Sequence, residues 1–66
     1  MVAFEVKDMS CAHCVGVITQ AVKDVDRNAT VQIDLARHRV EIEPAESDIG
    51  TLRDAITEAG YTPVPA

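Results

Sequence analysis

Cys11 and Cys14 are the only two cysteines in the 66-residue chain, and both lie in the stretch Met9-Ser10-Cys11-Ala12-His13-Cys14. Two thiolates separated by two residues can close on one soft metal ion, and soft thiolate sites select Cu(I) and zinc. Structural zinc takes four ligands. The only further candidates are His13, which lies between the cysteines and is expected to point away from them, and His38, far along the chain at no zinc-finger spacing. Cu(I) is satisfied by two or three ligands, so ligand number favours Cu(I) over zinc. A thiolate pair without two more ligands also suits a carrier, which must release its ion, better than a site that keeps it.

Competing uses of the pair are weaker. A thioredoxin-like redox unit needs more chain and usually surrounds its cysteines with aromatics, and this chain has no Trp. Haem attachment needs His directly after the second cysteine, where this chain has Val15. A disulfide closing so small a loop removes little chain entropy.

The elements that must hold the pair follow from polarity periods. Val2 to Lys7 alternates, with Val2, Phe4 and Val6 on one side, and reads as a half-buried strand. Asp8 to His13 is a loop. Cys14, Ile18, Ala21, Val22 and Val25 then fall on one face of a helix over about Ala12 to Asp24. The stripe predicts a partly buried Cys14, with Cys11 before it in the loop and more exposed. Both sit at the helix N-terminus, where unpaired amides and the macrodipole favour thiolate.

Val31, Ile33 and Leu35 alternate again, a turn follows at Ala36-Arg37-His38, and Val40 and Ile42 form the return arm of a hairpin. His38 reads as a turn residue. Pro44 ends that arm, since it cannot donate to a ladder. Ser47 is the expected N-cap of a second helix with an Ile49, Leu52, Ile56 and Ala59 core stripe, and Gly60 its expected C′ residue. Tyr61 to Val64 suits a short edge strand, which tolerates Pro63.

The order strand, helix, strand, strand, helix, strand predicts an α+β fold. Two right-handed crossovers make it a ferredoxin-like βαββαβ unit, a four-stranded antiparallel sheet with both helices on one face.

Composition narrows the partners. A chain this short buries only about 60% of its unfolded surface, so one small aliphatic core must suffice. The net charge of −5 and the two aromatics, Phe4 and Tyr61, argue against a nucleic-acid module. No apolar run approaches the roughly 20 residues that span a bilayer, and no export signal is visible at the start. The expectation is a cytoplasmic protein without direct membrane insertion, in a reducing compartment where a cysteine pair is used for metal or catalysis.

Met9-Ser10-Cys11-Ala12-His13-Cys14 resembles the MxCxxC signature of heavy-metal-associated domains, and in its MSCxHC form that of bacterial CopZ-type copper chaperones. The resemblance spans residues 1–66 as a single heavy-metal-associated domain, including Val15 and Ile18, the Val31-to-Ile42 hairpin and Ala59-Gly60-Tyr61. One departure is Asp8, where the family often has Gly; it implies a stiffer loop with a carboxylate beside it.

The resemblance implies a non-enzymatic carrier of one Cu(I) on Cys11 and Cys14. Its implied partner is the metal-binding domain of a copper-transporting P-type ATPase or a copper-responsive regulator. The apo protein is expected as a monomer able to form a copper-bridged dimer. Met9 resembles a hydrophobic plug tethering the loop rather than a thioether ligand. Tyr61 implies a hydroxyl near the copper loop, and His13 a spacer or a modulator. Lys7 and Lys23 are the expected basic contacts to a partner. A mercury or other soft-metal binder of the same fold, a small redox protein and an excised transporter domain remain as alternatives.

Overall fold

The computed structural model describes all residues from Met1 to Ala66. Along the chain run β1 (Val2–Val6), α1 (Ala12–Val25), β2 (Thr30–Asp34), β3 (Arg39–Glu43), α2 (Ile49–Glu58) and β4 (Pro63–Pro65). The sheet order is β2-β3-β1-β4, and every pairing is antiparallel. This is the expected ferredoxin-like architecture. The elements differ from the sequence reading only at their ends, most in β4, which starts at Pro63 rather than Tyr61.

Alternation decides which strand residues meet the helices. Phe4, Val6, Val40 and Ile42 are fully buried and join Ile18, Val22, Leu52 and Ile56 in one core cluster. Burying each such side chain contributes about 1.5–3 kcal/mol. Residues between them, such as Glu5 and Glu41, face the other side of the sheet. The edge strand β4 carries prolines at Pro63 and Pro65. The Ala66 amide donates to the Ala3 carbonyl at 3.0 Å, so alternate residues, the prolines, have their nitrogens on the solvent side where no donor is needed.

Three expectations are corrected. Asp48, not Ser47, caps α2: its Oδ1 accepts from the Thr51 amide at 2.9 Å. Ser47 is occupied elsewhere. Ile49 is 49% exposed because it lies in the first turn of α2, before the helix meets the core. Val25 likewise ends α1 half-exposed, beyond the reach of the core it was expected to join.

Ser47 serves Asp26. The Asp26 Oδ2 accepts from the amides of Ala45, Glu46 and Ser47 at 2.9, 3.0 and 3.0 Å and from the Ser47 hydroxyl at 2.7 Å. The Glu46 amide and the Ser47 hydroxyl and amide hold its carboxyl well below the usual carboxylate range. Asp26 is 4% exposed, the one buried charged residue of the chain. This carboxylate ties the end of α1 to the segment that enters α2.

Candidate metal site

Cys11 is the N-cap of α1, with extended backbone (φ −146°) and no side-chain cap bond. Both cysteines are free thiols; Cys11 is exposed and Cys14 buried. Their Sγ atoms lie 3.1 Å apart. The Cys14 amide donates to the Cys11 carbonyl at 3.0 Å, closing the first helical turn. The expected contrast between the two sulfurs is present: Cys14 packs with Ile18 in the core cluster, and Cys11 stands in solvent.

The chain entering the site is fixed one residue before it is released. Met9 is fully buried, and its amide donates to the Val6 carbonyl at 3.1 Å. Ser10, Cys11, Ala12 and His13 are all exposed. Asp8, in the position of a common family Gly, accepts at Oδ1 from the Thr62 amide at 3.2 Å and so joins the loop to the approach of β4.

Tyr61 reaches the site through the end of α2. Gly60 takes φ +101°, the left-handed region that favours glycine. Its amide bonds the Thr57 carbonyl at 3.0 Å, and the Tyr61 amide bonds the Ile56 carbonyl at 3.3 Å. That pair of bonds is a Schellman motif, and it turns the chain so that Tyr61 packs against the core. Tyr61 lies close enough to Cys14 that its hydroxyl is the leading influence on the Cys14 thiol.

Charge follows from this contact. The Cys14 thiol is lowered from 9.0 to about 6, first by the Tyr61 hydroxyl, then by the Cys11 thiol and the Ser10 backbone, against opposing desolvation. The same neighbour, together with burial, raises Tyr61 to about 12, since a phenolate beside the Cys14 sulfur loses the proton it would share. Both shifts favour a Cys14 thiolate beside a protonated tyrosine.

No group of three or more His, Cys, Asp or Glu side chains in the chain is placed to hold a metal ion together. His13 lies exposed in the first turn of α1, beside the groove between the two helices. Lys7 is exposed near the loop and 4.0 Å from Glu5. Lys23 does not belong to this surface. It lies eleven residues beyond Ala12 on α1, about 16 Å at 1.5 Å per residue, and its ammonium donates to the Ala29 carbonyl at 2.7 Å. Its expected role as a contact around the loop is corrected accordingly.

Sequence reasoning missed one residue here. His38 occupies the β2–β3 turn as expected, but its Nδ1 lies 2.7 Å from the Met9 carbonyl. The available signal was a short turn without Gly or Asn, which needs a residue able to take positive φ; His is one of the few enriched there. Asp26 was missed for a related reason: an Asp at a helix end reads as a solvated terminus.

A pair of free cysteines at the head of the first helix of a ferredoxin-like domain defines a class of soft-metal-binding module. The model of the heavy-metal-associated domain matches residues 3–62, and the chain belongs to that family. It is 33% identical over 57 residues to the COP-associated protein of Helicobacter felis, covering 85% of this chain and 86% of that one. It is 28% identical over 58 residues to copper chaperone CopZ of Staphylococcus aureus, covering 85% of each. Among solved structures, copper chaperone Atx1 from Synechocystis (Cu1, trimeric form) superposes with a TM-score of 0.92 at 36% identity, covering 97% of this chain and all of that one.

Proposed function

We propose that this protein is a cytoplasmic copper chaperone, not an enzyme: it carries one Cu(I) on Cys11 and Cys14 and passes it to a partner by thiolate exchange. The observation that carries this reading is an isolated pair of reduced sulfurs, one buried and one exposed, 3.1 Å apart with no third ligand grouped with them. The similarity to chaperones named for copper supports the choice of metal. No helix is long and apolar enough to cross a membrane.

Ligand exchange suits this geometry. With metal–sulfur bonds of about 2.3 Å, a near-linear two-sulfur ion needs its sulfurs about 4.6 Å apart, so the pair must open by roughly 1.5 Å. Cys14 is held in the core, so Cys11 makes that movement. A two-coordinate ion can accept a third sulfur from a partner, and the exposed Cys11 is the first to let go. Donor and acceptor then trade sulfurs one at a time, and the ion is never free. The partner that fits is a matching metal-binding domain of a copper-transporting P-type ATPase or a copper-responsive regulator. Met9 acts as the plug, Tyr61 as the group that keeps Cys14 ionised, and His13 as a spacer.

The test is direct transfer. The Cu(I)-loaded protein is mixed anaerobically with the apo metal-binding domain of a copper-transporting ATPase, with a chelator present to trap released ion. Copper should redistribute between the proteins while the chelator stays empty. Copper that moves only through the chelator-accessible pool would contradict the reading.

The same sulfurs permit a second reading, since closing from 3.1 Å to a disulfide bond of about 2.05 Å needs little movement. Sustained insulin reduction by the protein with a thiol donor would support redox catalysis; the carrier reading expects none above the donor alone.

A further inference from the structure

We propose that His38 is a positioning residue for the copper loop, a role that rests on the carrier function proposed above. It acts through Met9, which it pins by the main-chain carbonyl.

The β2–β3 turn and the metal loop are twenty-nine residues apart in sequence, counted from Met9 to His38, yet His38 joins them twice. Its carbonyl accepts from the Val6 amide at 2.7 Å, just past the end of the β1–β3 ladder. Its ring Nδ1 lies 2.7 Å from the Met9 carbonyl oxygen. That carbonyl can only accept, so Nδ1 carries the proton and donates. The buried Met9 side chain and the Met9 amide bond to Val6 fix the residue on two sides. The ring bond fixes the third, on the carbonyl that leads into Ser10 and Cys11.

His38 is the only non-glycine residue with positive φ, at 54°. Such a backbone is uncommon outside glycine and persists where surrounding contacts over-determine it. Glycine would satisfy the turn without strain. What glycine cannot supply is the ring that reaches Met9. Between Met9 and the start of α1 at Ala12 lie only Ser10 and Cys11, both exposed. His38 therefore sets the point from which Cys11 swings, and so limits how readily the exposed sulfur leaves the ion.

His38→Gly separates the two roles, because it keeps the turn conformation and removes only the ring. His38→Asn is the rescue: it tolerates positive φ and places an amide N–H where Nδ1 stood. Two readouts are made. Amide hydrogen exchange of the apo protein should accelerate about 2- to 10-fold at Met9, whose amide bonds the Val6 carbonyl, in His38→Gly, the worth of one lost hydrogen bond. Exchange in β3 and α2 should stay as in the wild type, and His38→Asn should return the loop to wild-type exchange. Cu(I) loss to excess bicinchoninate should be faster by a similar factor in His38→Gly, and restored in His38→Asn. Unchanged loop exchange in His38→Gly, or an Asn variant that behaves like Gly while folded, overturns the proposal. If wild-type protein takes no Cu(I), the carrier reading fails, and the apo exchange measurement still decides whether His38 pins the loop.

Discussion

The two ends of helix α1 are built on opposite plans. At its C-terminal end the Asp26 carboxylate receives four hydrogen bonds and is buried. At its N-terminal end Cys11 occupies the cap position with no cap bond and stands in solvent. The four bonds at the first end fix α1 to the entrance of α2. At the second, a cap is given up so that a sulfur stays available. The same helix thus separates the part that holds the fold from the part that must move. A small domain with marginal stability has reason to keep the two apart.

The largest effect should come at the open end. Cys14→Ser removes the anchored thiolate, and its Cu(I) affinity should fall by at least about 100-fold in a chelator competition, since a hydroxyl is a poor ligand for a soft ion. The far-ultraviolet circular dichroism spectrum should stay native. A Cys14→Ser protein that binds Cu(I) like wild type would erase the distinction between the two ends.

Asp26→Asn should do the reverse. It removes the charge that the Ala45, Glu46 and Ser47 amides surround. The melting temperature at neutral pH should drop by roughly 10 °C, on the scale of lost charge-assisted bonds in a domain this size, with Cu(I) affinity unchanged in the folded protein. The pH dependence has a definite sign. The folded carboxyl titrates below its ordinary value of 3.8, so its stabilisation is present above that pH and is lost as pH falls below it. Thermal melts of wild type and Asp26→Asn should converge in acid; a constant gap would show that the charge is not what matters.

Tyr61→Phe sharpens the comparison from the metal side. Loss of the hydroxyl should raise the Cys14 titration by about 1 in pH, on the scale of one contact to a charged acceptor, read from the pH profile of iodoacetamide alkylation with and without Tyr61→Phe in a Cys11→Ser background, which itself removes the Cys11 contribution. In the wild type, a thiol lowered from 9.0 to about 6 contributes stability that is complete above the first value and is lost as pH falls through the second. An unmoved profile would leave the low value to the helix terminus instead. The smallest effect belongs to Ile49→Ser, within about 0.5 kcal/mol for a half-exposed residue, against about 2–5 kcal/mol for Leu52→Ala in the core, both read from denaturant unfolding.

How much of this was legible in the sequence depends on range. The strands and helices were readable because Phe4, Val6, Ile18, Val22, Leu52 and Ile56 keep regular periods, and the order of elements then left one compact arrangement. The contrast between Cys11 and Cys14 followed from where the helical stripe begins. Gly60 was readable as a left-handed cap, and the cap is what delivers Tyr61 to Cys14. What was not legible were contacts that join distant segments through single polar atoms: Asp26 to residues 45–47, His38 to Met9, and Asp8 to Thr62. No period marks them. Ser47 illustrates the ambiguity, since its hydroxyl suits a helix cap but goes to Asp26, leaving the cap to Asp48. Lys23 failed for distance, as residue type alone does not say which end of a helix a charge serves.

The central claim is that two sulfurs, and no third ligand, hold the ion. Anaerobic Cu(I) titration of the reduced protein against a competing chelator, with native mass spectrometry to count ions, tests it most directly. The account expects one Cu(I) per chain, bound far more tightly than zinc, and loss of that tight binding in Cys11→Ser. A folded, reduced protein that ignores Cu(I), or a Cys11→Ser variant that holds it as tightly as wild type, would contradict it.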